Sequence, residues 1–388
     1  MHPLDVVRAS LDNWSDAELG ALAVGMHMAA DDCAHTRPEL YKGDDLYNLA
    51  RLCAFGQDWD DANTAALDYV ASHEEEHKAQ AYAISISALV HMKAIDLAVK
   101  TADEMLRVLP YDAEVAYALR DLKNSLVLAS NSAALPLAAE EHSKIVAALA
   151  QGMPIKAVHG DAVMPVGALF ESAMQLAFLD HYAGDAPAAT AAAGEVESAL
   201  PSTAMLDAED RQHVDAVTNR YQLLDAQLPA IRILRTLQSG AARAQIDSNF
   251  GPNFGSATVL VLFPDWCVEC RRMMKTLTTF AVVNRGTPIH AYGLVFADDA
   301  VVLGQPAHEV NLKQLEGTQT LVVPATTAQT LGATDYPLGV VLDNTGMVRF
   351  IGALPEDAFN GDGYIAKVIV NVVKTAREKL EAVRKGTD

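Results

Sequence analysis

The sequence has little positive charge, few aromatic residues and few cysteines. Its 388 residues include 29 Lys and Arg against 50 Asp and Glu, and the resulting net charge of −21 disfavours nucleic acid and anionic membranes as partners. Aromatic residues make up only 6%, whereas alanine supplies much of the 51% hydrophobic fraction, a composition that suits closely packed helices. Four cysteines in a chain of this length do not make a disulfide scaffold.

Long apolar runs and several common functional motifs are also missing. No stretch is long and apolar enough to cross a membrane, so we expect no membrane insertion. There is no phosphate-binding glycine loop and no nucleophile elbow. The start, Met-His-Pro-Leu-Asp, lacks the basic and apolar regions of a secretory signal. If Met1 is the natural start, we expect a cytoplasmic protein; if a signal peptide was removed, a periplasmic or secreted one.

The length predicts two or three domains, and the character of the sequence changes along the chain. Residues 1–240 read as consecutive helices, and residues 241–256 are predicted to be a linker because they contain Gly251, Pro252 and Gly255. Residues 257–388 alternate between strand and helix patterns. The predicted fold class is therefore multidomain, with an all-α helical-repeat region followed by an α/β domain. Strands are predicted at 257–263, 288–296, 320–323, 338–343 and 347–351, and helices at 269–283, 325–331 and 362–384.

An internal repeat is visible in the helical region. The segments that end at Pro110 and Pro201 both carry small residues, mainly alanine, at helical spacing, and each ends in a proline that stops the helix. A weaker copy runs from Leu49 to Tyr69. The pattern resembles degenerate tetratricopeptide repeats, and a plain alanine-rich bundle is the alternative. A repeat of this type would offer a groove to a peptide or a partner helix.

Cys267 and Cys270 form the most informative motif. An apolar run, Val259–Phe263, leads through Pro-Asp-Trp into Cys-Val-Glu-Cys, and residues compatible with a helix follow. This order places Cys267 at a helix N-terminus, where backbone N–H groups and the helix dipole stabilise a thiolate. Cys270 lies one turn further on, close enough to close a disulfide. The pattern predicts a redox site whose own disulfide carries the electrons, with no further cofactor.

The Trp-Cys-Val-Glu-Cys motif, Tyr336-Pro337 before a strand, and the closing hairpin and helix are together similar to thioredoxin-like proteins. The resemblance covers residues 256–388, and its nearest types are the TlpA/ResA proteins and the C-terminal domain of the reductase DsbD. It implies a thioredoxin fold. It further implies that Cys267 is the attacking thiolate and Cys270 the resolving thiol.

The same resemblance implies a substrate-binding surface. Trp266 would pack beside the disulfide, and Pro337 would be cis, so that the backbone of Tyr336 binds the substrate as a short strand. An ordinary trans proline that opens an edge strand is the alternative for Pro337.

Two features depart from common thioredoxins. Many thioredoxins carry a buried acid six residues before the first cysteine, where this chain has Val261. Glu269, between the cysteines, is a candidate for proton transfer, and a favourable acid in the first helical turn is the simpler explanation. Its charge is expected to raise the pKa of Cys267, whereas Arg271 and Arg272 act in the opposite direction. A less stabilised thiolate predicts a reducing couple, toward the thioredoxin end of a range of about −270 to −120 mV.

The segment His73-Glu74-Glu75-Glu76-His77 matches the His-Glu-x-x-His pattern of zinc hydrolases. A solvated helix start, with Ser72 and Glu75 as a capping box, explains it without metal. His91 and Glu104 are third-ligand candidates by position alone. We therefore predict no metal at this segment.

Two further motifs have simple explanations. Met26-His27-Met28, close to Cys33 and His35, matches a soft copper site, but methionines at this density in a helix are more often core residues. Cys33 and Cys53 are expected to be buried small hydrophobes.

These observations predict a reducing thiol–disulfide oxidoreductase. Its clients would be protein disulfides, a thiol reductant would supply electrons, and the helical region would hold a partner. The alternative is a scaffold or binding protein whose thioredoxin fold has no catalytic turnover. The missing acid at Val261 and the acidic Glu269 support this alternative. A zinc hydrolase that uses His73 and His77 would require tightly bound metal.

Overall fold

The computed structural model of the protein shows two compact units. The structure describes residues 16–72, 74–128, 132–201, 206–237, 257–267, 270–271, 273–274, 276–277, 289–296, 312–313, 315, 318–354, 368–369, 372 and 374. The first unit contains residues 1–127 and 131–211, and the second contains residues 128–130 and 212–388.

The division between the units lies upstream of the predicted boundary at residue 240. Residues 212–237 belong to the second unit, where the short strand β3 (Arg235–Thr236) joins the large sheet. A strand of this length shows no alternation of apolar and polar residues, so the sequence pattern does not reveal it. The predicted linker, residues 241–256, lies outside the described residues.

The first unit consists mainly of helices joined by short turns, as predicted. They are α1 (Asp16–Ala34), α2 (Asp44–Phe55), α3 (Trp59–Ala71), α4 (Lys78–His91), α5 (Ile95–Val108), α6 (Ala113–Leu128), α7 (Ala134–Leu149), α8 (Val166–Ala183), α9 (Ala186–Ala199) and α10 (Ala208–Gln222), which ends in the second unit. N-caps fix some of the starts: the Asp58 and Asp185 carboxylates accept from the backbone N–H groups of Asp61 (3.5 Å) and Ala188 (3.0 Å). Within the described residues, none of the helices combines the length and hydropathy that a membrane span requires.

Three successive helix pairs begin at similar intervals. Their first helices, α2, α4 and α6, start at Asp44, Lys78 and Ala113, a spacing of roughly 34 residues, which is typical of helix–turn–helix repeats. Fully buried alanines lie along the helices of these pairs: Ala50, Ala62, Ala66, Ala81, Ala98, Ala102 and Ala116. Side chains this small let helix backbones approach closely, which is the packing that the alanine spacing predicted.

A β-hairpin interrupts the run of helices, which the sequence did not predict. Its strands, β1 (Ile155–Lys156) and β2 (Val163–Met164), pair antiparallel. The hairpin contacts the start of α6: the Val158 N–H donates to Asp112 Oδ2 (2.8 Å), and the Tyr117 hydroxyl donates to a carbonyl of β2 (2.9 Å). Strands of two residues are too short for a periodic pattern, so this segment was read as part of the helical region around it.

Cys33 and Cys53 form a disulfide with Cα atoms 5.2 Å apart. Both are buried as predicted, but the interpretation as simple hydrophobes is wrong, because their sulfurs are bonded. The bridge joins the end of α1 to α2 inside a core that includes Ala62 and Tyr69. No pattern in the sequence indicated this bond, because the pairing depends on how α1 packs against α2. A disulfide that closes a loop of this size contributes roughly 3 kcal/mol to stability.

A fully buried ion pair lies between two helices of the first unit. Lys123 of α6 pairs with Glu141 of α7, and their side chains are 2% and 1% exposed. The Tyr111 hydroxyl donates to the other carboxylate oxygen of Glu141 (2.7 Å). Burial, together with the charge of Glu141, raises the pKa of Tyr111, so its hydroxyl stays protonated. The buried carboxylate is thus compensated by one cation and one hydroxyl.

A six-stranded sheet forms the core of the second unit. Besides β3 its strands are β4 (Ala257–Pro264), β5 (Ile289–Phe296), β6 (Thr320–Val322), β7 (Leu338–Leu342) and β8 (Val348–Ala353). The spatial order is β3-β6-β5-β4-β7-β8; β4 runs parallel to β5 and antiparallel to β7, and β7 runs antiparallel to β8. The five predicted strands are confirmed, as is a short helix before β7, α11 (Thr326–Thr330). This order and these directions fit the thioredoxin fold that the resemblance implies.

Residues 212–237 cover both edges of this sheet. At one edge β3 pairs with β6. At the other edge the Asp225 N–H donates to the Val348 carbonyl (2.9 Å), and the Val348 N–H donates to the Ala226 carbonyl (2.9 Å). Uncovered strand edges invite pairing with other chains, so this segment protects the sheet and belongs to its folding unit.

Asp343 links this segment to the turn between β7 and β8. Its carboxylate accepts from Arg349 Nε (2.8 Å) and from the Thr345 hydroxyl (2.6 Å), while Arg349 also pairs with Asp225. Burial raises the pKa of Asp343, but the hydrogen bonds from Thr345 and Arg349 outweigh burial and hold the pKa below its ordinary value of 3.8.

We therefore expect the stability that Asp343 supplies to be lost in acid. Because its folded-state pKa is depressed, the contribution is fully present above the unfolded pKa of about 4 and disappears as the pH falls through the folded-state value. At pH 7, Asp343→Asn should lower the free energy of unfolding by about 1–3 kcal/mol, since a charged acceptor is lost. Urea denaturation from pH 7 downwards measures this difference, which should shrink in acid. Asp215→Asn, at an exposed position, is the control; an Asp343→Asn effect that does not change with pH would contradict the expectation.

Candidate active site

Strand β4 carries the chain to Cys267. Every residue of β4 is buried, because the strand lies between β5 and β7. Beyond Pro264 the chain turns: the Cys267 N–H donates to the Pro264 carbonyl (3.1 Å), and the Arg271 N–H donates to the Cys267 carbonyl (3.2 Å). The described residues from Cys270 to Leu277 are helical. Cys267 thus stands at the start of a helix, as the motif predicted.

Cys267 and Cys270 form a disulfide with Cα atoms 5.3 Å apart. The Cys270 backbone N–H lies 3.2 Å from the Cys267 sulfur, where it can stabilise a negative charge on that sulfur when the bond opens. Cys267 is 8% exposed and Cys270 is 0% exposed. An external sulfur therefore reaches Cys267 first, which fits its implied role as the attacking thiolate.

The peptide bond between Tyr336 and Pro337 is cis, which confirms that prediction. Pro337 immediately precedes β7, and the antiparallel register of β4 and β7 places Tyr336 beside the end of β4 from which Cys267 emerges. The ring of Tyr336 lies 5.4 Å from that of Phe296, at the end of β5 (centroid to centroid). Disulfide and cis peptide thus share one end of the sheet.

The other predicted site residues have different outcomes. Trp266 lies in the turn before Cys267 and is partly exposed, and its role in substrate binding stays a prediction. Val261 is fully buried within β4, and its register partners on β5 and β7 are Gly293 and Gly339, which have no side chains to replace the missing acid. Glu269 lies outside the described residues, so its role in proton transfer stays a prediction.

Two buried charged residues flank the cysteines, and the sequence did not single out Asp265. Asp265 is 1% exposed and Arg271 is 8% exposed. Arg271 Nη1 donates to the backbone carbonyl of Asp265 (2.6 Å). Burial lowers the pKa of Arg271, and the negative charge of Asp265 acts in the opposite direction. An acid between a proline and a tryptophan reads as a solvated turn residue, so nothing in the sequence indicated its burial.

The predicted zinc-type motif does not have the helical geometry of a zinc hydrolase. Residues 74–77 precede α4, and His77 is the N-cap residue of that helix. Ser72 ends α3 as its C-cap, so the predicted capping box with Glu75 is wrong. His73 lies outside the described residues. Two histidines one helical turn apart, the arrangement that the zinc pattern requires, are therefore not supported by this segment.

His77 instead lies near two carboxylates. Its ring nitrogen and the carboxylate oxygens of Asp44 and Glu76 lie within 4.8 Å of one another, with both acids exposed. The proposed third ligands are engaged elsewhere: the ring of His91 stacks on Trp59, and Glu104 pairs with Arg107 (3.8 Å). Exposed acids beside a histidine are common without an ion, so we assign no metal function to this cluster.

The copper-type motif also lacks the set of free ligands that a soft-metal site requires. Met28 is 61% exposed, so the explanation that it is a core methionine is wrong. Cys33 cannot offer a thiolate while its sulfur is bonded to Cys53. Soft-metal binding would therefore lose its strongest ligand.

Comparisons with known proteins give only structural neighbours. No protein-family model and no curated protein matches the chain. Similar solved structures include a secreted Mycobacterium tuberculosis disulfide oxidoreductase (16% identity, 34% of this chain and 94% of that chain, TM-score 0.24). Others are a secreted thiol-disulfide isomerase from Corynebacterium glutamicum (17%, 37% and 85%, TM-score 0.25) and a thioredoxin-like protein from Porphyromonas gingivalis (17%, 40% and 95%, TM-score 0.28). Because these TM-scores are low, we base the function on the geometry of the site.

Proposed function

We propose that this protein is a thiol–disulfide oxidoreductase that works through Cys267 and Cys270. The observation that carries the proposal is the position of the disulfide: it lies at a helix start, directly after the central strand, beside the cis Tyr336–Pro337 peptide. A helix start favours the thiolate, which is the reactive form in exchange. The dithiol carries the electrons itself, so the proposal includes no other cofactor.

The reaction follows from the different exposure of the two cysteines. In the reduced protein the Cys267 thiolate attacks one sulfur of a client disulfide, forms a mixed disulfide and displaces one client thiolate. Cys270 then attacks the sulfur of Cys267, which releases the second client thiol and restores the Cys267–Cys270 bond. Two electrons pass to the client, and a thiol reductant returns the disulfide to the dithiol.

The client would bind beside the cis peptide. The backbone of Tyr336 precedes β7, so an extended client segment can pair with it as a short strand. Trp266, partly exposed next to Cys267, would shape access to the sulfur.

We infer that the couple is reducing. Cys270 is fully buried, and burial favours the neutral thiol over the thiolate. Less stabilisation of thiolates in the dithiol form favours the disulfide, so the protein donates electrons readily. The negative charge of Glu269 would act in the same direction.

The helical unit would hold the client or another partner in a groove of tetratricopeptide-like repeats. Support comes from the start positions of α2, α4 and α6 and from the buried alanines between the helices. The site of action would be the periplasm or the exterior of the cell and not the cytoplasm, because the buried Cys33–Cys53 bridge is typical of oxidising compartments.

The test is a redox titration of the wild-type protein in glutathione and dithiothreitol buffers. Thiol alkylation and mass spectrometry would report the state of the Cys267–Cys270 pair, and Cys270→Ser would trap mixed disulfides with clients. We expect a reversible two-electron couple near the thioredoxin end of the range, at about −270 mV. A disulfide that never exchanges, or a pair that stays reduced in every buffer, would leave the scaffold alternative.

A further inference from the structure

Asp265 and Arg271 are buried charges without a role in the reaction as written above. Asp265 stands two residues before Cys267, and Arg271 directly follows Cys270, so the two charges bracket the disulfide along the chain. Aspartate and arginine are almost never buried to this extent unless they are paired. Charged residues in a solvent-exposed turn would need no explanation, but the burial of these two charges does.

Hydrogen bonds fix both residues to the segment that carries the disulfide. Arg271 Nη1 donates to the Asp265 carbonyl (2.6 Å), and the Arg271 N–H donates to the Cys267 carbonyl (3.2 Å). The Asp265 N–H donates to the carbonyl of Phe296 at the end of β5 (2.9 Å). The guanidinium is thus held against the turn in one conformation, whereas a surface arginine samples many conformations in solvent.

Burial strengthens the electrostatic effect of both charges on their surroundings. Charges interact more strongly in the low-dielectric interior than in water, so a guanidinium fixed on the residue that follows Cys270 is expected to stabilise a thiolate in this segment. Burial lowers the pKa of Arg271, and the negative charge of Asp265 opposes that shift. The same negative charge weakens the stabilisation that a sulfur anion receives from the guanidinium. The two residues therefore affect thiolate formation in this segment with opposite signs.

We propose that Asp265 and Arg271 are positioning residues that together set the redox equilibrium of the Cys267–Cys270 couple, with Arg271 favouring the dithiol and Asp265 favouring the disulfide. The inference rests on the proposed function. The equilibrium concerned is the exchange of the protein disulfide with two glutathione thiols, which gives the protein dithiol and one glutathione disulfide. The electrons come from glutathione, and no other reactant takes part.

The experiment measures this equilibrium constant in the full-length wild type, Arg271→Gln, Arg271→Lys and Asp265→Asn. We expect Arg271→Gln to shift the constant about tenfold toward the disulfide, equivalent to about 30 mV, and Asp265→Asn to shift it by a similar factor toward the dithiol. Arg271→Lys should restore most of the wild-type value, because it keeps the charge. Arg232→Gln, at an exposed position in the same unit, controls for loss of one positive charge and should change nothing.

Shifts of opposite sign distinguish an electrostatic effect from structural damage. If either substitution merely loosened the turn, both variants would shift the equilibrium constant for exchange in the same direction. Circular dichroism and thermal melts show whether each variant is folded, and the near-isosteric Asp265→Asn gives an answer if Arg271→Gln is not. A reversible wild type with unshifted variants, or with shifts of the same sign, overturns this inference and leaves the proposed function intact. A wild-type disulfide that does not exchange overturns both.

Discussion

Replacing Cys267 with serine is expected to slow disulfide exchange by at least about a thousandfold, because a hydroxyl cannot serve as the attacking group at neutral pH. Cys270→Ser is expected to behave differently. Its Cys267 can still attack a disulfide, so the first step should remain and the mixed disulfide should accumulate. Stopped-flow measurements with a chromogenic aryl disulfide separate the two cases, since the first variant releases no thiol and the second releases one equivalent.

The matched control is the double variant Cys33→Ser/Cys53→Ser. It removes the disulfide of the helical unit and leaves the second unit unchanged, so we expect lower thermal stability and an unaltered rate of exchange. If the pattern were reversed, with Cys270→Ser inactive and Cys267→Ser forming the mixed disulfide, the roles derived from their exposure would be wrong.

Much of the redox site could be predicted from the order of residues along the chain. An apolar strand that runs directly into Trp-Cys-x-x-Cys constrains the cysteines to a helix start, and the structure shows Cys267 there. The cis bond before Pro337 also followed from sequence similarity. Asp265 could not be predicted, because its burial depends on the arginine six residues later and on the end of β5.

The fold of the second unit was predicted less completely than its site. The five strands with apolar runs were found, whereas β3 and the residues around Asp225 were placed in the helical region. These residues cover the edges of the sheet by backbone hydrogen bonds, which do not depend on the identity of the side chains. Backbone pairing of this kind leaves no hydrophobic period in the sequence. The Cys33–Cys53 bridge was missed for a related reason, since contact between two helices decides it.

Lys123→Met is expected to lower the free energy of unfolding by about 3–5 kcal/mol, although it replaces a charge with an apolar side chain of similar length. The reason is the partner that remains. Glu141 is 1% exposed, and without Lys123 its carboxylate keeps only the hydroxyl of Tyr111 as a described partner. An unpaired buried carboxylate loses its hydration without a compensating cation. Urea denaturation at pH 7, followed by far-UV circular dichroism, measures the loss.

The double variant Lys123→Met/Glu141→Leu is the decisive comparison. If the cost comes from the orphaned charge, removal of both charges should recover most of the lost stability, because apolar replacements of buried ion pairs are often neutral or stabilising. Arg107→Met, from the exposed pair with Glu104, is the surface control and should have almost no effect. A Lys123→Met variant as stable as Arg107→Met would show that Glu141 is not buried as an ion, and the core of α6 and α7 would need a different explanation.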